Sequence, residues 1–193
     1  MARPTLIVFA RSPAIGVGKT RLARDIGRVE AWRVYRAMSA RVLRAVRDPR
    51  WRTVLRLEGE RLDAAWPRLT VEPQRRGDLG VRLARALRSH SRHGVAVIGV
   101  DAPAVTRAHI ARAFRAKDAI GPASDGGFWL LALRGGRARR VGFDGVRWSS
   151  AHTLTDTVAA LGPLARLETL TDIDDLFSLR SSRRKSGPKL SSS

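Results

Sequence analysis

The chain has 193 residues, 44% of them hydrophobic, with no cysteine and a formal charge of +20 from 37 Lys and Arg against 17 Asp and Glu. That length suits one domain with a sizeable core, and the missing cysteine excludes disulfides and thiolate metal sites. No apolar run is long enough to cross a membrane.

The first element expected is a buried strand, "TLIVFA" at Thr5 to Ala10, a short β-branched run. A short helix follows at Lys19 to Ile26. A long one runs from Val29 to Val46, with Val29, Trp32, Tyr35, Ser39, Val42, Leu43 and Val46 at helical spacing. "RTVLRL" (Arg52 to Leu57) is a second strand and "LTV" (Leu69 to Val71) a shorter third. Leu79, Leu83 and Leu87 put a helix over Leu79 to Ser91. "VAVIGV" (Val95 to Val100) is apolar almost throughout, as central parallel strands are. Thr106 to Ala116 is a helix, "DAIGP" a strand end and "FWLLAL" another strand. "SSAHTLTDTVAAL" opens on serine caps and continues as a helix, and "ARLETL" is the last strand. Strands alternating with helices predict an α/β layer fold with a mostly parallel sheet. Residues 180–193 carry no acid and no periodicity and are expected to form a disordered basic tail behind a domain spanning 1–179.

The arginine excess admits nucleic acid or another polyanion as partner. The tail contributes little to it: without its five basic residues the charge is still about +15. The remaining arginines are spread along the chain, which favours solvated helix faces over a binding block.

In open α/β sheets ligands bind beyond the carboxyl ends of the strands. The first such stretch is "RSPAIGVGKTRLA", which ends like a nucleotide P-loop. The P-loop's first glycine would fall at position 13, where Pro13 stands. Proline lacks the N–H and the φ freedom that a phosphate cradle needs there. Gly16 with Arg11, Lys19 and Arg21 at a strand–helix junction still suits phosphate. "QRRGDLGVRL" offers Gln74, Gly77, Asp78 and Gly80, and also reads as a turn with Asp78 capping a helix. "VIGVDAP" sets Asp101 at the mouth of a buried strand, suited to Mg²⁺ against phosphates. In "SDGG", Asp125, Gly126 and Gly127 let backbone approach a ligand, or form a hairpin turn. "TDIDD" supplies Asp172 and Asp174, which could share a cation with Asp101 or cap a helix.

In order, "FARSPAIGVGKTRL", "GDLGVRL", "GVDAP", "GPASDGGFWLLAL", "VRWSS" and "DID" resemble the small bacterial transferases with a glycosyltransferase-A fold. These are the radical-SAM/selenodomain-associated or arsenosugar-biosynthesis type, related to nucleotidyltransferases. The likeness runs from Leu6 to Leu179 and leaves Gly18 incidental. It implies a three-layer α/β/α fold and an Mg²⁺- or Mn²⁺-dependent transferase; a cytoplasmic location is the default expectation from the composition, which lacks cysteine and any membrane-crossing run. The partners implied are a nucleotide or nucleotide-sugar donor and a small-molecule acceptor. Arg11, Gly16, Lys19 and Arg21 would meet the phosphates, and Gln74, Asp78 and Gly80 the base or ribose. Asp101, Asp172 and Asp174 would hold the metal. Asp101, Lys19 and Asp125 would carry the chemistry. Glycosyl transfer is the expected reaction; nucleotidyl transfer with release of pyrophosphate is the alternative in the same class, and a polyanion-binding module the alternative outside it. Val100, Arg75 and the "DIDDLFSL" stretch depart from the family's pattern, the last losing its Thr, Pro and final Asp.

Overall fold

A computed structural model of the chain describes residues 3–16, 18–60 and 62–173. Its strands are β1 (Thr5–Arg11), β2 (Arg52–Glu58), β3 (Thr70–Pro73), β4 (Val95–Ile98), β5 (Ala119–Pro122), β6 (Phe128–Leu133) and β7 (Ala165–Arg166). Its α-helices are α1 (Thr20–Ile26), α2 (Arg28–Ala45), α3 (Leu79–Ser89), α4 (Arg107–Ala116), α5 (Gly135–Arg139) and α6 (Thr153–Leu161). The strands form one sheet in the order β3-β2-β1-β4-β6-β5-β7. β1 pairs in parallel with β2 and β4, β2 with β3, and β5 with β7. β6 alone runs against its neighbours β4 and β5.

The period of two along β1 divides the core. Leu6, Val8 and Ala10 join the α2 and α4 side with Val42, Leu43 and Ile110. Ile7 points to the other face, with Leu83 and Leu87 of α3 and Ala138 of α5. Both faces are therefore covered, which is why β1 and β4 are apolar at almost every position. The result is the expected three-layer architecture on a mostly parallel sheet.

Several local expectations are corrected. β4 ends at Ile98, not Val100, so Gly99, Val100 and Asp101 leave the sheet at its carboxyl edge. α3 ends at Ser89, and a 3-10 turn covers Ser91–His93. The serines before α6 do not cap it: His152 is at the N-cap, and Ser150 Oγ accepts from the His152 N–H at 3.2 Å within the preceding turn. The last strand shortens to Ala165–Arg166, with a single further bridge between Leu170 and Ala123. Helix α5 had no periodic signal because it spans only five residues. The basic tail and Asp174 lie outside the described residues.

At the β5–β6 pair the packing leaves no spare volume. A methyl group on Gly121 would overlap the indole of Trp129. That ring is buried, and its Nε1–H donates to Glu168 O at 3.0 Å, so it has nowhere to go. Gly121→Ala is expected to cost about 1–3 kcal/mol, as overpacked cores do. The shift of the urea midpoint at constant slope measures it.

Candidate functional site

A cleft of about 710 Å³ opens at the carboxyl ends of β1, β2 and β4. Of the residues singled out in the sequence, Arg11, Lys19, Arg21, Gln74, Asp101, Asp125, Gly127 and Asp172 border it.

Lys19 lies at the centre of this group. It takes a left-handed backbone conformation, φ 48°, directly before α1. Its side chain is only 6% exposed, and Nζ lies 2.6 Å from Asp101 Oδ1. Nζ also donates to Ile173 O at 2.5 Å, and the Ile173 N–H donates to Asp101 O at 3.0 Å. A nearly buried ammonium must be matched in this way by acceptors. Asp101 itself is 45% exposed and faces the cleft.

A second cluster lies beside the first. The parallel register sets Arg11 against Glu58 across β1 and β2. Arg11 Nη2 and Arg82 Nη1 each lie 3.2 Å from Glu58 Oε2. Tyr35 fixes the Arg11 backbone, its hydroxyl accepting from Arg11 N–H and donating to Arg11 O at 2.9 Å each. Burial pushes that phenol up to about 12, so it stays protonated through the neutral range.

Gln74 borders the cleft but has a bracing role. Its Nε2 donates to Ala10 O and Arg56 O, at 3.0 and 2.9 Å, which uses both amide protons. Its Oε1 accepts from Arg82 Nη1 at 3.0 Å. Gln74 thus ties the ends of β1 and β2 together and orients Arg82.

Three of the residues expected to meet the nucleotide do not border the cleft. Asp78 is the N-cap of α3, accepting from Val81 N–H at 2.8 Å. Gly80 is a seat for Trp148: a Cβ there would stand 2.8 Å from the indole Nε1. Gly16 is exposed and turns the chain at φ +82° ahead of the cleft. Gly18, read as incidental, does border it, at φ +74°. The far wall pairs two loops. Asp125 Oδ1 accepts from Gly127 N–H at 2.9 Å, and a Cβ on Gly126 would meet the Ala151 backbone at 2.6 Å. Trp148 packs edge-on to Phe128 and Phe143.

Glu58, Arg82, Tyr35 and Trp148 were missed by sequence reasoning. Glu58 ends a strand just as Arg11 does, and the same search at the exit of the second strand would have found it. Among the described residues no three His, Cys, Asp or Glu side chains form a metal cluster. No described helix is long and apolar enough to cross a membrane.

The architecture is that of the nucleotide-diphospho-sugar transferases. A candidate nucleotide-diphospho-sugar transferase from Desulfovibrio desulfuricans G20 superposes with a TM-score of 0.88 at 23% identity, over 98% of this chain and 90% of its own. The 2-C-methyl-D-erythritol 4-phosphate cytidylyltransferase of Thermus thermophilus gives 0.55 at 17% identity, over 95% and 98% of the two chains. The Mycobacterium sp. strain JC1 homologue of Mycobacterium tuberculosis Rv0371c gives 0.54 at 16% identity, over 95% and 96%. Such identities speak for the fold. Over residues 41–150 the chain matches, and belongs to, the family described as an uncharacterized protein conserved in bacteria, DUF2064. No protein of curated function matches it.

One ion pair on the far wall gives a pH prediction. The Arg147 guanidinium donates twice to Asp156, at 2.8 and 2.9 Å, and so fixes the loop that carries Trp148 against α6. This pairing lowers the Asp156 carboxyl to about 2. A depressed carboxylate stabilises the fold above its unfolded pKa and loses that effect as pH falls through the folded value. The stability gap between the natural chain and Asp156→Asn should be full above roughly pH 4 and close towards pH 2. Paired urea titrations across that range check it.

Proposed function

We propose that this protein is a cation-dependent transferase that binds the diphosphate of a nucleotide sugar and passes the glycosyl group to a small acceptor. The observation that carries the reading is the Lys19–Asp101 contact, 2.6 Å long, inside a cleft bordered by Arg11 and Arg21. A diphosphate is a ligand for which such an assembly of ammonium and guanidinium groups is built.

The donor set suits Mg²⁺ or Mn²⁺. Asp101 and Asp172 present hard carboxylate oxygens to one cleft, and such cations are commonly held by one or two carboxylates plus substrate phosphates. Lys19 Nζ already stands in for a positive charge at Asp101 Oδ1. Asp101 and Asp172 would hold the ion, whose chemistry there is neutralisation of the diphosphate leaving group. Asp174 is proposed as a further ligand.

Lys19 exchanges its carboxylate partner for a phosphate oxygen when the donor binds, which leaves Asp101 available. Arg11 and Arg21 hold the remaining phosphate charge, and Arg82 keeps Glu58 from repelling it. Trp148 supplies an apolar surface that shields the reacting end from water. Asp125, braced by Gly127, takes the proton of the acceptor hydroxyl as its oxygen bonds to the anomeric carbon. The bond from that carbon to the phosphate oxygen breaks, and the nucleoside diphosphate leaves with the electron pair.

Thermal-shift titration with nucleotide sugars and nucleoside triphosphates, with and without Mg²⁺ or Mn²⁺, tests the reading. A donor at a hundred times its Kd should raise Tm by about 5–10 °C. Asp101→Asn should abolish the cation dependence and lower turnover by about 100-fold or more. Release of a nucleoside diphosphate supports glycosyl transfer, whereas release of pyrophosphate from a triphosphate makes the protein a nucleotidyltransferase. Failure of every nucleotide to stabilise the chain would remove both.

A further inference from the structure

A second concavity, of about 630 Å³, lies at the opposite end of the sheet from the cleft. Arg3, just ahead of β1, and Arg68, just ahead of β3, line it, with Arg44 and Arg47 from the end of α2 and Arg107 from the start of α4. All five side chains belong to exposed residues. Two are held in place by backbone carbonyls: Arg3 Nη1 donates to Pro49 O at 3.2 Å, and Arg44 Nη1 to Ala65 O at 3.0 Å. Asp48 is the acid in this groove, and it is already spent: Arg50 donates to both of its oxygens at 2.8 Å. That pairing lowers its carboxyl to about 2, so it stays ionised and engaged.

Five guanidinium groups converging on one concavity repel one another, and the arrangement gains stability from any anion that lies between them. The planar, multi-donor guanidinium matches phosphate oxygens in particular. The aromatic ring in the groove, Trp51, is buried, with the Arg50 guanidinium 5.1 Å from its centroid. It offers no free face to stack a base, so a ligand here is read through its phosphates.

We infer that this arginine groove is a second anion site, distinct from the cleft, that takes a compact oligophosphate. The lack of a stacking face in the groove favours a short phosphate chain over nucleic acid. Its ligand does not depend on the transferase reading of the cleft.

Inorganic tripolyphosphate is the probe, titrated calorimetrically into the full chain at low and moderate salt. The background Lys19→Ala weakens the cleft and isolates the groove. In that background one tripolyphosphate should still bind, weakening steeply with salt. Adding Arg47→Glu and Arg68→Glu should weaken it by roughly tenfold or more. Neither side chain makes a side-chain hydrogen bond or ion pair among the described residues, so the urea midpoint should hold. Arg166→Glu, on exposed β7, should leave binding unchanged. Binding insensitive to the Arg47 and Arg68 reversals, or lost with Lys19→Ala alone, overturns the groove. Single-stranded DNA binding there more tightly than tripolyphosphate would overturn the oligophosphate in favour of a nucleic-acid backbone. With Lys19 intact, the same groove variants should keep any nucleotide-induced thermal shift, so the cleft and the groove succeed or fail separately.

Discussion

The ammonium of Lys19 and the carboxylate of Asp101 join two loops that are far apart in the sequence and side by side in the sheet. The first follows β1 and the second β4, and these strands are hydrogen-bonded neighbours. The geometry has a backbone cost: a left-handed conformation is unfavourable by about 1–2 kcal/mol for a residue with a Cβ. Lys19 accepts it and turns its side chain inward to Asp101 and Ile173 O. Because the Ile173 N–H bonds back to Asp101 O, the backbone at Ile173 is held by the same residues. Removing the carboxylate would take an acceptor from a nearly buried cation, a larger penalty than the loss of an exposed pair.

The Glu58 cluster beside it shows how sheet register becomes chemistry. Parallel pairing puts Arg11 opposite Glu58, and Gln74 from the end of β3 reaches over both strands to their carbonyls. Arg82 then arrives from α3 with its Nη1 shared between Gln74 and Glu58. Two guanidiniums on one carboxylate keep a surplus positive charge at the cleft wall. None of this depends on flexible loops. Each partner stands on, or immediately after, a strand or helix, which is how a site is held to tight tolerance.

Much of the fold was legible because buried parallel strands announce themselves. β1 and β4 are legible from unbroken apolar runs, although β4 stops at Ile98 short of the end of its run, and Leu79, Leu83 and Leu87 give α3 its register. "FWLLAL" is legible as a strand, and of the two readings of Asp125-Gly126-Gly127 the hairpin turn holds: it joins β5 to the antiparallel β6. The site was legible in part for the same reason. Arg11 ends β1 and Asp101 lies in the loop that follows β4, so the carboxyl-edge rule finds them. Asp78 and Gly80 stand at the start of α3, and there structural needs won: the aspartate caps the helix, and the glycine in its first turn makes room for Trp148. That demand comes from a residue far along the chain, and no spacing rule around Gly80 could have announced it. Trp148 itself is set by packing against Phe128 and Phe143, which are brought together only by tertiary structure.

The two ends of the sheet use charge differently. The cleft is bordered by four bases (Arg11, Lys19, Arg21, Arg82) and four acids (Glu58, Asp101, Asp125, Asp172), most of the bases paired with an acid. Such a balance suits the donor and cation proposed for the cleft, since either alone would upset it. The groove has five arginines against one aspartate that is already engaged. The chain's large positive charge is therefore not a property of the cleft. Salt separates the two by the same logic: exposed guanidiniums are screened as ionic strength rises, while the partly buried pair of Lys19 with Asp101 is screened less.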